Sequence, residues 1–255
     1  LKIDLLIMEI FNRSTLKRFF QRGQIPTEVH FANLIDSTIN KIDDGFAKTV
    51  EDGLKLSPIG DSQKLISFFE DIKETHPAWS IAVNPNERSK GLSISESTDG
   101  SRLFLQKGGN VGMGTTSPSF PLEVDGAVGM KARVGTYPNK AVITADGEWH
   151  ILIENLSGCN IFEIVAKVEG VKQRGKYAFA HAIAVGTHDS KNNKINITQA
   201  QYGWFWHRLK FRWKQTNDGQ YQLEIKSSQH YGNDKNNQVV QIKYHITSLW
   251  DERLG

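Results

Sequence analysis

Aromatic residues and cations interleave through Tyr202-Gly203-Trp204-Phe205-Trp206-His207-Arg208-Leu209-Lys210-Phe211-Arg212-Trp213-Lys214, the run whose side chains could best hold a ligand. On a strand Tyr202, Trp204 and Trp206 share one face, and from Arg208 onward the cations Arg208, Lys210, Arg212 and Lys214 lie opposite Leu209, Phe211 and Trp213. Two readings follow. Alternation alone suffices if the aromatics are core and the cations a solvated face, as a half-wet antiparallel strand requires. Alternatively, exposed Tyr202, Trp204 and Trp206 stack on sugar rings, or the strip holds single-stranded nucleic acid. With 31 Lys and Arg against 28 Asp and Glu, the net charge of +3 does not by itself imply a polyanion partner, so nucleic acid is the weaker ligand.

Other chemistry is sparse. The eight histidines show no HxxxH or HExxH pair and Cys159 has no CxxC partner, so no metal site is expected. As the sole cysteine, Cys159 excludes an intramolecular disulfide and reads as a small buried side chain rather than a nucleophile. Ser157-Gly158-Cys159 is no GxSxG elbow, and His181 and His188 fall seven apart with no local Ser-His-Asp arrangement. Asp146 with Glu148, or Glu154 with Glu163, would serve glycoside cleavage only at a separation that sequence does not give. Asp43, Asp44, Gly45, Glu51, Asp52 and Gly53 lack the alternate oxygens and closing Glu of a calcium loop and read as a solvated link. No catalytic residue, metal or cofactor is assigned, and the chain is read as a non-enzyme.

The elements that would position the aromatic run are mainly β. Ser14 is a candidate N-cap for a short helix stopping at Gly23, and Pro26-Thr27 opens a second, with Phe31, Leu34, Ile35, Ile39 and Ile42 on one stripe. Short strands are expected at Leu54–Leu56, Ala78–Val83, Leu92–Ser95 and Leu103–Gln106, with Leu65–Ile72 ambiguous and Trp79 a packed aromatic at a strand start. Beyond residue 140, where five of the six tryptophans lie, strand-like runs cover Trp149–Ile153, Ile161–Val168, Tyr177–Val185, Ala200–Trp206, Arg208–Trp213, Tyr221–Lys226 and Val239–Ile246. Seven such runs separated by turns such as Asn217-Asp218-Gly219 predict an antiparallel β-sandwich or jelly-roll-like head. No run approaches the ~20 apolar residues of a membrane-spanning helix, and Leu1–Phe11, interrupted by Asp4 and Glu9, does not read as a signal peptide. Met8 is the more natural first residue, with 1–7 upstream of it.

Between these halves lies Gly108–Gly129. Gly108, Gly109, Gly112, Gly114 and Gly126 with Pro118 and Pro121 permit only short extended pieces between tight turns. Val111, Met113, Leu122, Val124 and Val128 alternate along them, giving a thin apolar stripe that needs copies of itself or a neighbouring segment for cover. The residues Asn110-Val111-Gly112-Met113-Gly114-Thr115-Thr116-Ser117-Pro118 and Leu122-Glu123-Val124-Asp125-Gly126 resemble a short repeat of bacteriophage tail fibres and related trimeric surface fibres, which usually carries Ile at the place of Met113. The run from Phe19 to Ser37 resembles the N-terminal segment of tail-fibre-like proteins in phages and phage-derived injection particles.

The resemblance implies an elongated homotrimeric fibre, mainly β with N-terminal helices. Its parts are an N-terminal helical attachment segment (1–53), a β-rich middle (54–107), a glycine-rich fibre repeat and connector (108–140) and a head (141–255). Val111, Met113, Leu122, Val124 and Val128 would pack the trimer, and the N-terminal segment would join baseplate or tail proteins. Tyr202, Trp204 and Trp206 in the head would touch a target-cell glycan or surface protein. The fibre would be particle-associated or extracellular, made in the cytoplasm without a signal peptide, with no nucleic-acid partner and no membrane insertion. A structural adaptor or cap without a receptor, a free-standing carbohydrate-binding module and a glycan-cleaving enzyme are the alternatives.

Overall fold

The computed structural model describes residues 11–40, 43–71, 73–85, 88, 90–97, 99–137, 142–170, 175–188, 191–216 and 219–250. Expectations resting on the first ten residues, Ile42, Ile72, Asn139-Lys140 and Asn217-Asp218 lie outside them. The chain is mainly β and divides into two compact units, Leu1–Gly129 and Met130–Gly255.

The first unit opens with helices α1 (Arg13–Phe19) and α2 (Glu28–Asp36). The N-cap of α1 is Asn12, whose Oδ1 accepts from the Thr15 N–H at 2.9 Å; Ser14, the expected cap, instead donates its hydroxyl to the same oxygen. An amide oxygen two residues upstream reaches the orphan N–H groups that a serine inside the first turn does not. α2 is shorter than its stripe predicts, so Ile39 lies beyond it, exposed. Phe19 stacks on His30 at 4.2 Å, and Phe20 meets Phe31 edge-on at 5.4 Å, which ties the two short helices together.

The acidic link between residues 43 and 53 is not a bare turn. It supplies β1 (Phe46–Thr49), which pairs antiparallel with β2 (Gly53–Leu56), the hairpin being tied at its turn by Thr49 and Asp52. The segment from Leu65, ambiguous in sequence, is a strand, β3 (Lys64–Phe68). It starts a six-stranded sheet that runs through β4 (Trp79–Val83), β5 (Gly91–Glu96), β6 (Asp99–Gln106), β7 (Val111–Met113) and β8 (Leu122–Val124) in chain order. The glycine-rich stretch is therefore the end of its neighbour's sheet, with β7 antiparallel to β6 and parallel to β8.

Period-two alternation sorts this sheet into two unlike faces. Register aligns Val83, Leu92, Leu105, Val111 and Leu122 in one row, and Ile66, Ile81, Ile94, Leu103, Met113 and Val124 in the next. The opposite face carries Ser80, Ala82, Ser93, Phe104 and Gly112, all buried. The loop from Gly114 to Pro121 joins the parallel pair and closes over this small-residue face. Asn110 donates its amide to the Pro118 carbonyl at 3.0 Å, and a Cβ on Gly112 would stand 2.2 Å from the Thr115 carbonyl. Glycine is required there by a backbone contact. Val128 lies beyond β8, outside the sheet, and is exposed.

The second unit places two sheets on one core. After β9 (Ile143–Thr144) and β10 (His150–Leu156) come β11 (Cys159–Glu169), β12 (Tyr177–Thr187), β13 (Lys194–Tyr202), β14 (Leu209–Gln215), β15 (Tyr221–Ser227) and β16 (Gln241–Trp250). One sheet has the order β13-β12-β11-β16-β9, the other β10-β15-β14. Phe162, Ile164, Ala178, Ala182 and Ile246 of the first meet Leu152, Leu209, Phe211, Leu223 and Ile225 of the second in a single hydrophobic cluster. The run of alanines on β12 keeps that part of the interface thin, so larger residues opposite can reach it.

Candidate functional site: an exposed aromatic turn

β13 ends at Tyr202, and Gly203 to Arg208 form a turn before β14 begins at Leu209. This corrects the expected strand Ala200–Trp206. Trp204 and Trp206 are not strand neighbours packed into a core; they project from the turn. Exposure runs from 41% at Trp206 to 67% at Tyr202 and Phe205, so four aromatic rings stand in solvent within five residues. The physical reason is Gly203. It adopts φ +95°, and a Cβ there would lie 2.6 Å from both the Gly175 carbonyl and His207 Nδ1, so the chain can leave the sheet only through glycine.

The turn is fixed from below. His207 is buried, and its Nδ1 lies 3.1 Å from the Trp204 N–H and 3.0 Å from the Tyr202 carbonyl. With the proton on Nε2 it accepts from the first, with the proton on Nδ1 it donates to the second, and either bond ties the turn to one imidazole. His207 N–H also donates to the Trp204 carbonyl at 2.9 Å. The rings organise one another: Trp204 and Trp206 are parallel, 2° apart in plane with centroids at 5.0 Å, and Phe205 meets Trp206 edge-on at 4.7 Å. Tyr202 contacts Tyr177 at 6.1 Å, beside an apolar hollow of about 280 Å³ lined by Phe179, Ala200 and Tyr202. Exposed, preordered rings of this kind offer stacking surface at low entropic cost.

From Arg208 onward the sequence alternation holds. Leu209 and Phe211 are buried, Trp213 is half-buried, and Lys210 and Lys214 are exposed on the other face. Thus one aromatic-cation run contains a projecting turn followed by an ordinary half-wet strand. On that strand Arg212 Nε donates to Glu224 at 2.6 Å and its guanidinium lies 4.1 Å over the Trp149 ring. Burial opposes ionisation of Glu224, yet hydrogen bonds from Arg212 and Gln222 and the charges of Arg212 and Lys214 hold its carboxyl below the usual range.

The other candidates do not assemble. Asp146 accepts from the Thr144 hydroxyl at 2.7 Å and lies 2.8 Å from His150 Nε2; burial raises its pKa, but these bonds and the Glu148 N–H outweigh burial and bring it down to about 2. Thr144 donates to the carboxylate, so the trio fastens the Asp146-Gly147 turn instead of activating a nucleophile. Glu163 on β11 is paired with Arg133 and, at 3.0 Å, with His181, whereas Glu154 lies on β10 of the other sheet. Cys159 is exposed, its Sγ 3.3 Å from the Thr187 hydroxyl, not buried as expected; it opens β11 on the alternate side to the buried Phe162 and Ile164. Trp79 opens β4 as expected but is 41% exposed, on the apolar face of the six-stranded sheet. Among the described residues no group of three or more His, Cys, Asp or Glu is placed to hold a metal ion, and no helix is long and apolar enough to cross a membrane.

Phe205 was missed as a site residue because strand alternation places it opposite Trp204 and Trp206. The Gly203 beside Tyr202 was the available signal for a turn. No protein-family model matches the chain, and no curated protein matches its sequence.

Proposed function

We propose that the chain is a structural and adhesive component of a tail-fibre-like assembly, belonging to a phage or phage-derived injection particle. Three copies associate through the first unit, and a β-sandwich head presents the aromatic turn to a target-cell glycan or surface protein. One observation carries the reading. The apolar face of the six-stranded sheet holds more than ten large side chains, of which Ile66, Leu105, Met113 and Leu122 are 37–60% exposed and the rest of the two rows half-buried, so that none is fully covered within the chain. An open apolar face of that extent marks a protein contact, and closing three such faces about an axis covers all of them with one interface type. The resemblance of residues 110–126 to fibre repeats agrees with this, because Val111, Met113, Leu122 and Val124 all lie on that face.

The turn supports an adhesive rather than a purely structural role. Solvent-exposed Trp, Phe and Tyr rings held rigid by a buried histidine serve no packing need within the chain. Repeating a shallow platform on each copy gives avidity without a deep pocket. The paired substitution Trp204→Ala with Trp206→Ala leaves folding intact and abolishes adhesion to target cells or to a neutral glycan array. Adhesion by the double variant equal to wild type refutes the role of the turn, and a monomeric wild-type chain refutes the fibre.

A further inference from the structure

The head has a groove that neither the fibre reading nor the aromatic turn uses. It lies between β13 and β14, each an edge strand of its sheet, and has a volume of about 530 Å³, within the range of small-ligand sites. Its lining includes Ile195, Phe211 and Trp213 and, alternating with the last two along β14 or in the turn before β13, the cations Arg212, Lys214 and Lys191. No carboxylate is among the described residues that line it. Arg212 and Lys214 share one carboxylate among the described residues, Glu224, whose side chain is only 4% exposed, at 2.6 Å and 3.5 Å. Among the described residues three cations therefore meet one carboxylate, which leaves the rim with a net positive charge.

The same sign extends over the outer face of the smaller sheet. Lys210 stands directly opposite Lys226 in the β14–β15 register, a like-charge pair that opposes sheet pairing. Neither lysine is in an ion pair with a carboxylate among the described residues; Lys226 rests on the Trp149 ring at 5.0 Å. A net charge of +3 over the whole chain conceals this local excess.

We propose that the groove between β13 and β14 binds an acidic saccharide, a glycan carrying carboxylate or sulfate groups. Lys191 and Lys214 would neutralise the acid, and the half-buried Trp213 ring would meet the apolar face of the sugar. Trp213 is fixed for this: its Nε1 donates to the Lys194 carbonyl at 3.3 Å and its ring abuts Tyr221 at 5.2 Å. A nucleic-acid strand fits the site less well, because successive bases need successive rings and Trp213 is the only half-exposed ring among the described residues of the lining.

The test uses the full chain and isothermal titration with four probes of equal length: a sulfated hexasaccharide, a hexagalacturonate, neutral maltohexaose and a mixed-sequence single-stranded hexanucleotide. Wild type binds at least one acidic sugar, about tenfold or more tighter than maltohexaose, and weakens with added salt. The variant Lys191→Gln with Lys214→Gln loses about tenfold in affinity for that sugar, whereas Lys235→Gln with Lys243→Gln, an equal change in net charge, stays within about twofold. Thermal unfolding of both variants shows whether folding is retained. Equal losses in the two variants, no binding of either acidic sugar, or tighter binding of the hexanucleotide would each overturn the proposal. Trp204→Ala with Trp206→Ala should leave this binding unchanged, so the two sites fail separately.

Discussion

Leu105→Asp tests whether the open sheet face is an interface. Leu105 lies in the row Val83, Leu92, Leu105, Val111, Leu122 and is 41% exposed. Full burial of a leucine contributes roughly 1.5–3 kcal/mol, so about 1 kcal/mol per copy remains to be gained by covering it, and about 1–2 kcal/mol is at stake within the single chain. In an assembled trimer the substitution instead brings an unpaired carboxylate from each copy into one interface, at several kcal/mol per charge. Three copies lose on the order of 10 kcal/mol of association free energy, roughly seven powers of ten in the assembly constant. Sedimentation velocity at micromolar concentration should show the wild type at about 86 kDa, three chains of 28.7 kDa, and the variant at the single-chain mass. Circular dichroism should show the variant's strands intact, and Lys107→Asp, a turn substitution, should leave the trimer in place. A wild-type mass of one chain, or a variant that sediments with the wild type, refutes the reasoning.

Three further substitutions probe the packing that holds the sites. Gly112→Val drives a Cβ into the Thr115 carbonyl, 2.2 Å away, and should cost about 1–3 kcal/mol, read as faster hydrogen exchange in β6 to β8; unchanged exchange would show that the 114–121 loop does not rest on this sheet. The folded chain holds the Asp146 carboxyl at about 2, below its ordinary 3.8, so its contribution, up to about 2 kcal/mol, is present above pH 4 and is lost as pH falls toward 2. Urea midpoints of wild type should decline through that window, and Asp146→Asn should flatten the decline; parallel curves would remove Asp146 from the account. The Tyr231 hydroxyl is buried with no protein partner among the described residues, and burial pushes its pKa up to about 12. Tyr231→Phe should therefore leave stability unchanged or raise it by up to about 1 kcal/mol, and a clear loss in thermal unfolding would reveal a bond to that oxygen.

Much of the fold was legible because strand periodicity is local. Six of the seven runs expected beyond residue 140 correspond to β10, β11, β12, β14, β15 and β16 with ends shifted by a few residues, since alternation marks the middle of a strand better than its limits, whereas the run Ala200–Trp206 shares only its first three residues with β13. β1 was missed because its Phe46-Ala47-Lys48-Thr49 is too short for a pattern and sits in acidic, glycine-punctuated sequence. The aromatic run misled at its start for a similar reason. Two tryptophans at i and i+2 look alike on a strand and on a turn, and only the contact of Gly203 with Gly175 and His207, distant in sequence or set by the turn itself, decides between them.

Sequence alone determined where chain pieces extend, which side chains alternate, and that no local motif supports catalysis or metal binding. Tertiary structure decided what each face meets. It joined Val111, Met113, Leu122 and Val124 to the rows of the sheet that precedes them, lifted Trp204 and Trp206 out of the core, and placed Lys191, in the turn before β13, on the same groove as Lys214 of β14. The reason is physical: alternation fixes the side of a strand on which a residue lies, but exposure and charge at that side depend on strands far away in the chain.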